Sequence, residues 1–277
     1  MILFDRFTVI AGPCLLEGDA LNLEVGRMLA RLSGEFDLPV MFKASFDKAN
    51  RSRMDAARGP GLEKGLQQLA RVQDATGLAL LTDVHEPEQA DRTARVVDVI
   101  QVPAFLSRQT DLVVAAGQTG KAVNLKKGQW MAPEDMAAAV DKARKAGATE
   151  VAVTERGTAF GYGDLVVDMR SFARIRGACD CPAIFDGTHS VQRSGREAGS
   201  SGGDPEHIPA LVRAAVAAGC DGLFLEVHPR PEAAPSDATN MLRLDRLPAL
   251  LEEVMAIRQS IAAKRTAAHG TMTTVPG

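Results

Sequence analysis

Cysteine and aromatic side chains are scarce in this chain: four cysteines, one tryptophan, one tyrosine and ten phenylalanines among 277 residues. Thiols only at positions 14, 179, 181 and 220 exclude the dense disulfide framework of a small secreted domain, and reduced thiols are expected. No run of about 18 apolar residues occurs, so the sequence offers no candidate for a membrane-spanning helix. Asp5 and Arg6 interrupt the first apolar stretch, which lacks the apolar core of a signal peptide; a cytoplasmic protein is expected. Neither sign of charge dominates. With a net charge of −3 and a pI near 6.0, the chain lacks the broad basic surface that binds nucleic acid or an acidic membrane.

What the chain does have is a rhythm. Eight times a short aliphatic run ends in charged or small polar residues, and an amphipathic helical segment follows. The runs are 7–10, 39–42, 78–81, 97–100, 122–125, 151–153, 182–185 and 222–225; helical periodicity fills 21–32, 61–75, 89–96, 110–117, 133–146, 167–176, 208–218 and 247–264. Repeated βα units of this number predict a (β/α)8 TIM barrel, which needs about 250 residues as one unit. Residues 1–265 are therefore expected to form a single catalytic domain, with 266–277 as a flexible tail. Three longer loops, 46–60, 192–205 and 230–240, follow the second, seventh and eighth runs. They emerge where the chemistry of such a barrel collects. Gly199, Gly202 and Gly203 would let the middle one close over the site.

Two constellations lie at those strand ends. Cys14, His189, Glu226 and Asp237 follow the first, seventh, eighth and eighth runs, and closure of a barrel makes the first and eighth strands neighbours. A thiolate, an imidazole and two carboxylates converging there suit a divalent transition metal such as Zn, Fe or Mn. A buried structural cysteine, a loop-capping histidine and solvated carboxylates are the plainer alternative. The second constellation is basic: Lys43, Lys48, Arg51, Arg58, Arg108, Lys126, Lys127 and Arg156 follow strands in a mildly acidic protein. Guanidinium forks and ammonium groups so placed predict an anionic small ligand with two separated anionic groups, one deep near Lys126 and Arg156 and one at the rim near Arg51. The thiols Cys179, Cys181 and Cys220 fall at the opposite end and read as incidental or as small hydrophobes.

Long motifs carry a family resemblance. Lys43-Ala44-Ser45-Phe46-Asp47-Lys48-Ala49-Asn50-Arg51-Ser52, Thr82-Asp83-Val84-His85-Glu86, Gln101-Val102-Pro103-Ala104-Phe105-Leu106, Arg108-Gln109-Thr110-Asp111-Leu112, Phe160-Gly161-Tyr162 and Phe185-Asp186-Gly187-Thr188-His189-Ser190 closely resemble the 3-deoxy-D-manno-octulosonate 8-phosphate synthases, over about Phe7 to Arg258. The resemblance implies a homotetrameric transferase of lipopolysaccharide biosynthesis that condenses phosphoenolpyruvate with D-arabinose 5-phosphate and releases phosphate. Carried over by motif, it implies that Lys43, Ser45, Lys48, Lys126 and Arg156, helped by Gln101 and Arg108, surround phosphoenolpyruvate. Asn50, Arg51 and Ser52 take the pentose phosphate, and Asp83 lies near the sugar. Cys14 and Cys220-Asp221-Gly222 resemble the metal-dependent class of that family. A sister synthase using erythrose 4-phosphate in aromatic biosynthesis is the nearest alternative, but it carries a Lys-Pro-Arg-Thr type motif where this chain has Lys48-Ala49-Asn50-Arg51-Ser52. A non-catalytic sugar-phosphate-binding barrel is a third.

Overall fold

A computed structural model describes residues 3–51, 54–197 and 200–270. Eight parallel strands close into a barrel: β1 (Thr8–Gly12), β2 (Val40–Lys43), β3 (Ala79–Asp83), β4 (Val99–Val102), β5 (Ala122–Lys126), β6 (Val151–Glu155), β9 (Ala183–Asp186) and β12 (Gly222–His228). The ring is sealed by β1 against β12, in a register that pairs Thr8 with Gly222 and Gly12 with Glu226. Around it lie α1 (Asp19–Phe36), α2 (Leu62–Thr76), α3 (Pro87–Ala94), α4 (Thr110–Gln118), α5 (Ala137–Ala146), α6 (Ser171–Cys179), α7 (Ile208–Ala217) and α8 (Leu247–Gly270). This is the expected (β/α)8 barrel.

Side chains on a strand alternate between its two faces, and that parity decides what meets at the mouth. Ile10, Met41, Leu81, Val99, Ala122, Ala152, Ile184 and Phe224 form an inner apolar plug, closed from below by Phe4. The flanking positions, such as Val9, Phe42, Leu80, Ile100, Val123, Val153, Phe185 and Leu225, join the larger core beneath the helices. Counting on in steps of two from the plug reaches Gly12, Lys43, Asp83, Gln101, Lys126, Thr154, Asp186 and Glu226. One pattern therefore packs the barrel and aims polar groups at its C-terminal end.

The apolar runs stop short of the strands for this reason. The third strand continues through Asp83, the fifth through Lys126, the sixth through Glu155 and the eighth through His228, because inward positions near the mouth are polar while the ladder goes on. Two antiparallel hairpins interrupt the expected alternation: β7 (Thr158–Phe160) with β8 (Asp164–Val166), and β10 (Gln192–Glu197) with β11 (Ser200–Gly203). A short strand β13 (Leu242–Arg243) adds to β12.

Two expectations are corrected. Gly202 and Gly203 belong to β11, not to an open loop, and Gly203 serves close packing: a Cβ there would lie 2.7 Å from that of Asn240. Gly199 lies outside the described residues. The last helix continues to Gly270, so 266–270 are helical and only 271–277 fall outside the described residues.

Gly12 has a stricter duty at the seam, where a Cβ would lie 2.0 Å from the backbone carbonyl oxygen of Lys43. Gly12→Ala must push β1 from β2, and we expect a loss of about 2–3 kcal/mol, in the range of core overpacking. An unchanged midpoint of denaturant unfolding would contradict this.

Candidate active site

A cavity of about 560 Å³ opens at the C-terminal end of the barrel. Lys43, Lys48, Asn50, Arg51, Asp83, Gln101, Lys126, Arg156, His189, Glu226 and Asp237, all singled out in the sequence, line it together. Ser45 is buried beside it, where its hydroxyl donates to Asp83. Cys14 is likewise buried. Ser52 lies outside the described residues. Arg108 differs: it is exposed beyond the end of β4 and does not line the cavity, because the turn 104–106 carries the chain outward before α4 begins.

The first cluster spans the β1–β12 seam. Cys14 Sγ donates to Asp237 Oδ2 at 2.8 Å, and one ligand atom each from Cys14, Glu226 and Asp237 lie within 4.8 Å of one another. His189 stands just outside that set, its Nε2 3.6 Å from Glu226 Oε2. Its Nδ1 lies 2.8 Å from Asp186 Oδ2, a contact that fixes the orientation of the ring. Burial, then Asp237 and Glu226, push the Cys14 thiol pKa well up. Burial would also raise that of Glu226, but His189, Lys43 and Lys48 outweigh it and bring it to about 2. Glu226 Oε2 is buried without a hydrogen-bond partner. A soft sulfur and hard oxygens crowded around an unsatisfied carboxylate oxygen are a donor set that fits a divalent transition cation.

The second cluster is cationic. Lys43 Nζ donates to Glu226 Oε1 at 3.0 Å and to Ser45 Oγ at 3.1 Å. Lys126 Nζ donates to Asp186 and sits over the Phe224 ring, 3.3 Å from its centroid. Burial lowers the Lys126 ammonium pKa to about 8 despite Asp186. Arg156 is buried and donates to Gln192 Oε1 at 2.8 Å, while its Nη1 has no partner. Arg51 also keeps one buried nitrogen, Nη2, unpartnered. Buried donors without acceptors are costly unless an anionic ligand completes them.

Asp83 is held well below the usual carboxylate range: burial opposes this, but the hydrogen bond from His85 and the charges of Lys43 and Lys48 prevail. It lines the cavity, its two oxygens engaged by Ser45 Oγ and His85 Nε2.

Sequence reasoning missed Asp186, which accepts from the backbone N–H groups of Thr188 and His189 as well as from Lys126 and His189. Strand parity was the available signal, since Asp186 is two residues beyond the plug residue Ile184. Gln129 and Gln192, which also line the cavity, follow turns whose course no local pattern specifies.

Residues 4–263 match the model of the DAHP synthetase I family. The chain is 52% identical over 249 residues to 2-dehydro-3-deoxyphosphooctonate aldolase of Syntrophotalea carbinolica, covering 90% of each chain. It is 52% identical over 252 residues to the protein of that name from Nitratidesulfovibrio vulgaris, covering 91% of this chain and 92% of the relative. The namesake from Methylobacterium radiotolerans is 50% identical over 261 residues, covering 94% and 92%.

A bound anion favours protonated Lys126, so affinity is full below pH about 8 and declines as pH rises past it. Sulfate, which stays a dianion throughout, is the probe. Calorimetric titration on either side of pH 8 should weaken for the native protein and be weaker but flat for Lys126→Met. A flat native profile would refute the assignment.

Proposed function

The chain belongs to the DAHP synthetase I family and, within it, groups with the 2-dehydro-3-deoxyphosphooctonate aldolases; from that premise we propose that it condenses phosphoenolpyruvate with D-arabinose 5-phosphate and water, giving 3-deoxy-D-manno-octulosonate 8-phosphate and inorganic phosphate. It is thus an enzyme, a transferase on this reading, acting in the formation of the inner sugar of lipopolysaccharide. The observation that carries the proposal is a single cavity that gathers Arg156 and Arg51, each with a buried nitrogen lacking a partner, together with Lys43, Lys126 and the ionised carboxylate of Asp83.

Lys126, Arg156 and Lys43 hold the carboxylate and phosphate of phosphoenolpyruvate, with Lys48 and Gln101 closing around it. Asn50 and Arg51 take the phosphate of the pentose. Between these anchors the C3 carbon of phosphoenolpyruvate is brought against the aldehyde carbon, and proximity supplies much of the rate. Asp83 accepts from a sugar hydroxyl and fixes which face of the aldehyde is presented. The new bond joins C3 to the aldehyde carbon; water adds at C2, and the resulting hemiketal phosphate expels inorganic phosphate by C–O cleavage. The buried cations stabilise charge as it develops on the phosphate.

Cys14, Glu226 and Asp237, with His189 beside them, are the residues that would hold a divalent metal, Zn, Fe or Mn. Such an ion supplies Lewis-acid stabilisation of an oxygen at that side of the cavity. The protein's own contribution there is orientation: Asp186 fixes the His189 ring, and Lys43 fixes Glu226.

We infer a cytoplasmic homotetramer from the family resemblance. Among the described residues no helix is long and apolar enough to cross a membrane. Exposed Phe160 and Tyr162, and Phe105 stacked on Trp130, offer apolar surface for contact between copies.

The decisive assay is phosphate release from phosphoenolpyruvate in the purified protein, reduced and supplied with divalent metal. Turnover should require arabinose 5-phosphate, vanish on chelation and return with added metal. Faster turnover with erythrose 4-phosphate would point to the sister reaction. No turnover with either sugar would leave a binding barrel, and full activity without metal would remove the metal site from the account.

A further inference from the structure

Lys127 is fully buried, follows directly on Lys126, and does not line the cavity. A lysine side chain withdrawn from water needs compensation for its charge. Here the compensation comes from two different loops. Its Nζ donates to the carbonyl oxygens of Gly128 at 3.2 Å and Met131 at 3.1 Å, both in the turn after β5. It also reaches the Gly157 carbonyl at 3.4 Å in the turn after β6, Thr158 Oγ1 at 3.2 Å at the start of β7, and Glu155 Oε1 at 3.4 Å at the end of β6. The same Glu155 oxygen accepts from Gly157 N–H at 2.7 Å. The carboxylate therefore caps one turn while neutralising the ammonium that gathers both. Ala159 N–H donates to the Gln129 carbonyl at 2.8 Å and extends the link into the β7–β8 hairpin.

Cavity residues leave these two turns on either side of the buried ammonium. Lys126 and Gln129 flank Lys127 on the first, and Arg156 lies between Glu155 and Gly157 on the second. A strand ladder fixes Lys126 only to its Cα, and Arg156 stands one residue past the end of β6. The spacing of the two anion-binding cations thus depends on what holds the turns together.

We infer that Lys127 is a positioning residue: its ammonium, paired with Glu155, clamps the β5 and β6 turns and so sets the distance between Lys126 and Arg156 at the deep anion end of the cavity. Lys127 touches no substrate. It acts through its neighbours, and its loss weakens the deep anion site while sparing the rim site at Arg51. This rests on the phosphoenolpyruvate reading of the deep site.

The chain supplies its own reporter. Trp130, the single tryptophan, sits in the clamped turn between Gly128 and Met131, stacked on Phe105 with ring centroids 6.1 Å apart. In Lys127→Met, a near-isosteric neutral change, Trp130 fluorescence anisotropy should fall without any ligand. The dissociation constant for phosphoenolpyruvate should rise about tenfold, and that for arabinose 5-phosphate should change less than about twofold. Glu155→Gln, which keeps an oxygen to accept from Gly157, should reproduce the selective loss at about threefold. The double variant should lose less than the product of the two, as expected for partners in one contact. A folded Lys127→Met protein with native Trp130 anisotropy and native phosphoenolpyruvate affinity would overturn the inference. So would an equal loss for both substrates. Should Lys127→Met not accumulate as folded protein, Glu155→Gln decides alone, and unchanged phosphoenolpyruvate affinity there is the contrary result. Failure of the underlying reading appears separately, as absence of phosphoenolpyruvate binding by the unaltered protein; the deep site is then probed with sulfate, on which the same variants carry the same expectations.

Discussion

The parallel pairing of β1 with β12 is the constraint on which the site depends. Until that seam forms, Cys14 and Glu226 are separated by most of the chain; once it forms, Gly12 stands opposite Glu226 and the thiol two residues on enters the same polar cluster. The seam tolerates no side chain at Gly12, since the Lys43 carbonyl occupies the space. One glycine thereby sets the approach of three strand ends that carry a sulfur, an ammonium and a carboxylate.

The cost of assembling so many charges is high, because each buried ion loses its hydration. The barrel offsets it by pairing: Lys43 with Glu226, Lys126 with Asp186, Lys127 with Glu155. What pairing leaves over is informative. Of the carboxylate and guanidinium groups lining the cavity, Glu226 Oε2, Arg156 Nη1 and Arg51 Nη2 remain buried without hydrogen-bond partners, as does Glu155 Oε2 outside it. One carboxylate oxygen and two guanidinium nitrogens left over at the cavity are what the proposed cation and anion sites would use.

Much of this was legible in the residues. Aliphatic runs such as Val97 to Ile100 and Pro182 to Phe185 mark strands, since buried parallel strands must be apolar on both faces. Strand ends were harder, because Asp83, Lys126 and Glu226 look like loop residues until the inward parity is known. Both hairpins went unread: Thr158–Phe160 pairs with Asp164–Val166, and Gln192–Glu197 with Ser200–Gly203, without a long apolar alternation to announce them. Arg108 shows a further limit. Its chemistry suits an anion, but the 104–106 turn that carries it away from its own cavity is a matter of backbone course, invisible in composition. Asp186 was missed because its value lies in the groups it orients, and Lys127, read with the ligand-binding cations, is instead buried away from the cavity against carbonyls of two turns.

Closure of the ring brings the Cys14 sulfur to Glu226 and Asp237, and the proposed cation site depends on that sulfur as a ligand. The electronic spectrum of the protein loaded with cobalt(II) tests it most directly, since only a thiolate ligand gives an intense near-ultraviolet charge-transfer band. That band is expected in the native protein and is lost in Cys14→Ser; a band that survives the substitution, or is absent from the native protein, would rule out a thiolate ligand at the site.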